Sequence, residues 1–324
     1  MKPFESFLAP HLNDYLRYRE GLGYAPRPCR DHLRLFDRYA RESGADLSSL
    51  DPSFFLNMRS NLAMEATSVN HVLSVTRGFF RFLVRQGIFE NNPLLDTPPL
   101  KEKITVPFIF SPEQTDQLLK AICKKMKRTN ASFLREFAMY MALVLMARCG
   151  MRISEPLHLM KHHYRREEGT IYIEKTKFTK DRLIPLPKTV MQEMENYLST
   201  RAHLRPEDPN PYLLPGKDLN PIPDQQVRFL FHDAVREIGI TQPRKKLGNI
   251  IFNPPVPHCL RHSFAVNTLK AVKERGQSPQ HALPVLAAYL GHATYFNTSV
   301  YLRVADASSR KALYDFSLWQ KGKL

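Results

Sequence analysis

Leu286-Ala-Ala-Tyr-Leu-Gly-His292, with Tyr301 nine residues beyond the histidine, is the stretch around which the chain is organised. An apolar helix stopping at Gly291 would leave His292 at its end, because glycine accepts the left-handed backbone that terminates helices. A lone tyrosine near the end of a chain carries little information. Three upstream segments raise its significance, each supplying a cation or an imidazole in a setting that suits a phosphate: Arg152, Lys177, and the pair His258 and Arg261.

Composition points the same way. The 324 residues are 43% hydrophobic and 24% charged, the mark of a globular chain long enough for two cores. The 47 Lys+Arg against 31 Asp+Glu give a net charge of +16, so a polyanion is the expected partner, nucleic acid ahead of an anionic membrane. There is no uninterrupted apolar run of about 18 residues to cross a bilayer. The start, Met1-Lys-Pro-Phe-Glu-Ser-Phe-Leu-Ala-Pro, has an acid and prolines where a signal peptide needs apolar residues, and the expected location is the cytoplasm. Cys29, Cys123, Cys149 and Cys259 are far apart with no CxxC pair, which speaks for reduced thiols and against a zinc ribbon or disulfide framework.

Helical spacing governs the first 95 residues. Leu8, Leu12, Tyr15 and Leu16 share one face, as do Leu33, Phe36 and Ala40. A third helix is expected at Asp51-Pro52, and a fourth carries Val72, Val75, Phe79, Phe82 and Leu83. This domain is studded with arginines, among them Arg27, Arg34, Arg38, Arg59, Arg77 and Arg81, which read together as a clamp on a DNA backbone. The Pro-punctuated stretch from Asn92 to Lys103 suggests a linker, taken as residues 96–110. Ser111-Pro-Glu-Gln114 then opens a second domain, residues 111–324, with a capping box.

In the second domain a long apolar helix runs into Cys149-Gly-Met-Arg-Ile-Ser-Glu155, where Gly150 would end the helix and set Arg152 on a sharp turn. Thr170–Glu174 and Arg182–Leu186 have strand composition and are joined by a tip rich in cations, Lys175, Lys177 and Lys180. Residues 243–255 read as a loop. His258 and Arg261 share one face of a helix that starts near Pro257.

The ordered series G-x-R-x-S-E, Lys-bearing hairpin, H-x-x-R, L-G-H and Tyr resembles the tyrosine recombinases, the family of phage integrases and Xer-type recombinases. The resemblance covers the whole second domain. It implies a mainly α fold with a small β-hairpin or sheet (α+β): an N-terminal four-helix SAM-like core-binding domain and a C-terminal tyrosine-recombinase catalytic domain. The implied activity is site-specific DNA recombination and integration through a 3′-phosphotyrosyl intermediate, with strands exchanged via a Holliday junction. Tyr301 would be the nucleophile, and Arg152 and Arg261 would fork onto the non-bridging phosphate oxygens. His258 and His292 would hydrogen-bond those oxygens, His258 also helping with the phenolic proton. Lys177 would protonate the leaving 5′ oxygen, with Lys175 and Lys180 as rivals. Glu155 is expected to pair with or orient arginines. The implied partners are double-stranded DNA carrying a recombination site, further copies of the chain in a tetramer, and an accessory DNA-bending protein or partner recombinase, at the nucleoid.

The hairpin tip has Thr176 and Phe178 where small glycines are common in the family, and Arg303 follows Tyr301 where a His is frequent. A type IB topoisomerase uses the same residue logic, and a catalytically silent DNA-binding protein could share the fold. With no P-loop and no H-E-x-x-H, neither a cofactor nor a metal is called for, and a metal hydrolase built on His258, His262, His281 and His292 is the remotest alternative.

Overall fold

A computed structural model describes residues 2–126, 129–174, 181–292 and 298–302. The chain divides into two compact units, Met1–Lys103 and Ile104–Leu324.

Four helices form the first unit: α1 (Ala9–Gly21), α2 (Pro26–Glu42), α3 (Pro52–Asn61) and α4 (Ala66–Arg85). Their apolar faces meet on Phe36, Phe55, Phe79 and Phe80, all fully buried and packed as tilted or edge-on ring pairs. Asp51 caps α3 by accepting the Phe54 amide at 2.8 Å, with Pro52 filling the first turn. Buried Asp37 accepts the amides of Glu5 and Ser6 at 2.9 and 3.0 Å and so ties the start of the chain to α2.

Two features depart from the sequence reading. The Pro-rich stretch after Asn92 is no free linker but lies against α3 and α4. Arg77 donates to the carbonyls of Leu94 and Thr97 at 3.0 and 2.8 Å, Arg59 to that of Pro98 at 2.7 Å, and Asn70 bonds both backbone groups of Leu100. Arg59 and Arg77 are therefore used inside the unit, because a proline-rich segment leaves carbonyls without local partners. The side chains of Arg27, Arg34, Arg38 and Arg81 make no ion pair or hydrogen bond among the described residues.

The second unit is wrapped around α6 (Asn130–Cys149), which is buried continuously from Ala138 to Ala147. A helix apolar on every side must be covered on every side. Around it pack α5 (Pro112–Lys125), α8 (Lys188–Leu204), α9 (Asp224–Glu237) and α10 (His258–Glu274). The capping box at Ser111 and Gln114 opens α5. The short α7 (Ser154–Leu157) follows α6, and α11 (Pro279–Leu290) packs on α10.

The described residues of this unit also form two three-stranded sheets. Strands β2 (Tyr164–Arg165), β3 (Thr170–Ile173) and β4 (Arg182–Pro185) are antiparallel, with Ile171 opposite Ile184. The other sheet corrects two expectations: β1 (Ile104–Val106) lies in the supposed linker, and β5 (Lys245–Leu247) and β6 (Ile250–Phe252) lie in the supposed loop. β5 and β6 form a hairpin around Gly248, and β1 joins β6 in parallel, Thr105 opposite Ile251. Three-residue strands are too short to show a local period, and β1 is fixed by pairing with a segment distant in sequence.

Arg201 on α8 shows how the irregular residues 205–221 are held. Its side chain is 5% exposed, pairs with Asp208 at 2.8 Å, and donates to the carbonyls of Asn210, Tyr212 and Leu213. Arg201→Ala would strand a buried carboxylate and the carbonyls of Asn210 and Tyr212, leaving Leu213 O to the Tyr197 hydroxyl, so we expect a loss of about 3–5 kcal/mol in urea unfolding. A loss below about 1 kcal/mol would contradict this role for Arg201.

Candidate active site

Five segments of the second unit meet where α6, α10 and α11 converge. Gly150 ends α6 at φ +61°, and a Cβ there would stand 2.5 Å from the Phe264 ring, so both backbone and space require glycine. The turn delivers Arg152. Its Nη1 donates to Glu155 Oε1 at 2.8 Å, its backbone amide to Oε2 at 2.8 Å, and its Nη2 to the Gly291 carbonyl at 3.1 Å. With its side chain 24% exposed, Arg152 keeps an open face, and a cleft of about 460 Å³ lined by Arg152, Glu155, His158, His163 and Glu174 opens beside it.

Glu155 is the hub beneath. Besides Arg152 it accepts Arg182 Nη2 at 2.8 Å, and Arg261 Nη1 lies 3.9 Å away. Burial pushes its pKa up, but hydrogen bonding and charge from Arg182, the Arg152 amide and Arg261 overcome that and hold it below the usual carboxylate range.

Arg261, only 1% exposed, is fixed from α10 by two carbonyls, Gly150 O at 2.8 Å and Leu290 O at 2.6 Å. Burial, then the charge of Arg152, draws its pKa down to about 10, which leaves it charged at neutral pH. Its Nη2 also lies 3.1 Å from His292 Nε2. A guanidinium can only donate, so Nε2 must hold a lone pair and Nδ1 the proton, which it donates to Thr298 Oγ1 at 2.8 Å. Gly291, at φ +65°, ends α11, and a Cβ on it would come within 2.8 Å of Arg182 Nη1.

Tyr301 sits in a helical turn at 298–302, 4% exposed among Val106, Phe252, Ala265 and Leu290. Its hydroxyl is 3.3 Å from His262 Nδ1, and its ring stacks near His292, centroids 6.1 Å apart. Burial raises the phenol's pKa, while the charges of Arg261 and Arg152 pull against it. The His258 ring meets His262 edge to face at 4.6 Å and keeps a solvent-facing side.

Arg152, Glu155, His258, Arg261, His292 and Tyr301 are thus gathered in one place. Lys177 and its rivals Lys175 and Lys180 lie outside the described residues, as does the tail after Leu302. Two members of the cluster are additions to the sequence reading. Arg182 is visible in sequence only as a hairpin landmark; it donates to Glu155 and to the Tyr289 carbonyl at 2.9 Å, and its buried Nη1 has no hydrogen-bond partner among the described residues. His262 stands four residues after His258 and so on the same helix face, a signal that sequence alone offered only to a metal site.

A sequence model of the phage integrase family matches residues 109–308. The chain belongs to the phage integrase family. Among its relatives in that family, tyrosine recombinase XerA of Thermococcus kodakarensis is 26% identical over 311 residues, 96% of each chain. Tyrosine recombinase XerD of Proteus mirabilis is 27% identical over 266 residues, 80% of this chain and 75% of that one. A lambda integrase dimer bound to a COC′ core site shares the fold with a TM-score of 0.64 at 16% identity, over 91% of this chain and 76% of the other. XerH bound to difH before cleavage does so with a TM-score of 0.63 at 20% identity, over 93% and 83%. The mainly helical fold with small sheets is that of the phage integrase family. No described helix is long and apolar enough to cross a membrane.

The site's histidines give this integrase-family protein an acid limit. Burial, followed by neighbouring arginines, lowers His258 and His292 to about 4. Burial, then His258, Arg261 and His292, lowers His262 to about 3. These folded values lie below the unfolded ~6.5, so the unfolded chain takes protons first. Stability is full above about pH 6.5 and falls as pH drops toward the folded values. Two enclosed imidazoles, His262 and His292, imply a slope of about 2–3 kcal/mol per pH unit at the steepest, with solvent-facing His258 adding less. Urea midpoints followed from neutral pH downward should show this slope, and His262→Asn should reduce it by about a third to a half.

Proposed function

We propose that this recombinase of the tyrosine class is site-specific, and that it cleaves duplex DNA with Tyr301 and holds the broken strand as a 3′-phosphotyrosyl ester until it is rejoined to a new 5′ hydroxyl. One observation carries the reading: a buried phenol lies in the same cluster as two guanidiniums fixed in place by backbone carbonyls and a shared carboxylate.

Arg152 and Arg261 bind the two non-bridging oxygens of the scissile phosphate as it becomes five-coordinate. Being pre-fixed, they need no reorganisation when charge builds, which is where electrostatic catalysis gains most. His258 faces solvent at the start of α10, where a helix N-terminus already favours an anion, and it hydrogen-bonds the phosphate. His292 orients Arg261 and Tyr301 from Thr298. Lys177 protonates the leaving 5′ oxygen. Because the phosphotyrosyl bond conserves the ester, rejoining needs no nucleotide cofactor.

Arg27, Arg34, Arg38 and Arg81 of the first unit contact DNA phosphates. The lambda integrase structures hold a dimer on a core site and a tetramer on a Holliday junction. We extend that to this chain: four copies act on two sites at the nucleoid, with an accessory DNA-bending protein or partner recombinase in some reactions.

The test is strand exchange. The full-length protein is allowed to select a duplex from a randomised pool, and two differently sized fragments carrying that sequence are then incubated with it. Recombinant-length products and a four-way junction are expected. Relaxation of a plasmid lacking the selected sequence, without exchange, would replace this reading with a topoisomerase.

A further inference from the structure

The proton on Tyr301 must go somewhere as the phenol attacks, and the side chain that meets it is not His258. His262 Nδ1 stands 3.3 Å from the hydroxyl, at the long end of a hydrogen bond, as such contacts often are before substrate arrives. His292 cannot serve: its Nε2 lone pair faces Arg261 and its Nδ1 proton is given to Thr298. His258 lies beyond His262, edge to face at 4.6 Å, on the solvent side. We propose that His262 accepts the Tyr301 proton in cleavage and returns it in rejoining, leaving His258 to the phosphate. This rests on the tyrosine-nucleophile reading above.

In the step, the Tyr301 oxygen forms its bond to phosphorus while its proton passes to His262 Nδ1. His262 enters as the Nε2–H tautomer and leaves as imidazolium. The bond between phosphorus and the 5′ oxygen breaks with its electron pair on that oxygen, which takes a proton from the general acid. Rejoining reverses each movement. Electrostatics would couple the transfer to DNA. In the free protein His262 is held strongly neutral and the phenol protonated, so transfer is steeply uphill. A phosphate bound between Arg152 and Arg261 offsets the arginine charge that disfavours an imidazolium at His262.

Two variants separate proton transfer from support. His262→Asn places a carbonyl oxygen near the Nδ1 position, so it still accepts the phenol's hydrogen bond but takes no proton, whereas His262→Ala removes both. Each is compared with wild type and Tyr301→Phe on a nicked suicide duplex of the selected sequence. A second probe is the same duplex with a 3′-p-nitrophenyl phosphate, whose leaving group departs without a proton and whose ligation to a 5′ hydroxyl bypasses Tyr301. We expect adduct formation to fall by about 10²-fold or more in both variants, and ligation of the p-nitrophenyl substrate to continue close to the wild-type rate. Near-wild-type cleavage by His262→Asn would overturn the proposal, since hydrogen bonding alone would then suffice. Equal loss of p-nitrophenyl ligation would also overturn it, by placing the defect in phosphate binding. Wild-type protein that makes no adduct on the duplex it selects would instead refute the underlying tyrosine reading.

Discussion

Tyr301→Phe protein should form no covalent DNA adduct, a fall of at least about 10⁴-fold, while still binding the selected duplex. The change removes one oxygen. The ring that remains fills the same space among Val106, Phe252, Ala265 and Leu290, so the apolar cluster under α10 and α11 is kept. What is lost besides the proposed nucleophile is a hydrogen bond to His262, worth about 0.5–1.5 kcal/mol. Fold and binding should therefore survive, and the effect should appear in chemistry alone. Denaturing electrophoresis of labelled suicide duplex reads the adduct, and gel mobility shift reads binding. A variant that lost both in proportion would mean that the tyrosine holds the structure and does no chemistry.

Glu155→Ala should be the most damaging change that touches no DNA. The carboxylate stands between Arg152, Arg182 and Arg261, with Arg182 and Arg261 almost wholly buried. Removing it leaves three guanidiniums facing one another without a counter-charge, for which about 3–5 kcal/mol of stability loss is expected. Cleavage should fall by about 10²-fold as well, because Arg152 and Arg261, the proposed phosphate ligands, lose their reference point. Glu155→Gln should retain part of the geometry, since the amide oxygen still accepts one guanidinium, and should lie between Ala and wild type. The pH sense follows from the lowered pKa. Ionised Glu155 stabilises the fold above the unfolded carboxylate value of ~4.3, and that contribution disappears as pH falls through the lower folded value. In Glu155→Ala that acid-side loss should be absent while the histidine-driven slope at higher pH remains. Thermal or urea unfolding across acidic pH checks both parts.

The site was legible in sequence to the extent that its chemistry follows local rules. Gly150 and Gly291 announce helix ends, and each places the next functional side chain, Arg152 or His292, where the chain turns. His258 and Arg261 share a helix face by spacing alone. Their meeting with Tyr301 was inferred from motif order, since no local pattern brings together residues separated by so much chain. Arg182 was hidden because a strand-edge arginine looks like a solvated one, and only burial against Glu155 and Tyr289 reveals its use. His262 is hidden by its neighbour: the H-x-x-R motif singles out His258, and only the fold shows that His262 Nδ1 lies 3.3 Å from the Tyr301 hydroxyl. The same limit applies to the arginines of the first unit. Arg59 and Arg77 look like DNA ligands in sequence, yet they hold carbonyls of the proline-rich segment at the unit's end. Strands β1, β5 and β6 are invisible for a related reason: each is only three residues long, and the pairing that gathers them into a sheet, β1 with β6, joins segments far apart in the chain.

One measurement bears on all of this: the identity of the residue that carries the DNA. Adduct trapped on the suicide duplex is digested with nuclease and protease, and the peptide bearing a 3′-linked nucleotide is sequenced by mass spectrometry. The arrangement of Arg152, Arg261, His262 and His292 predicts that the modified residue is Tyr301 and no other. A nucleotide on any other side chain, or cleaved DNA with no peptide attached, would contradict it.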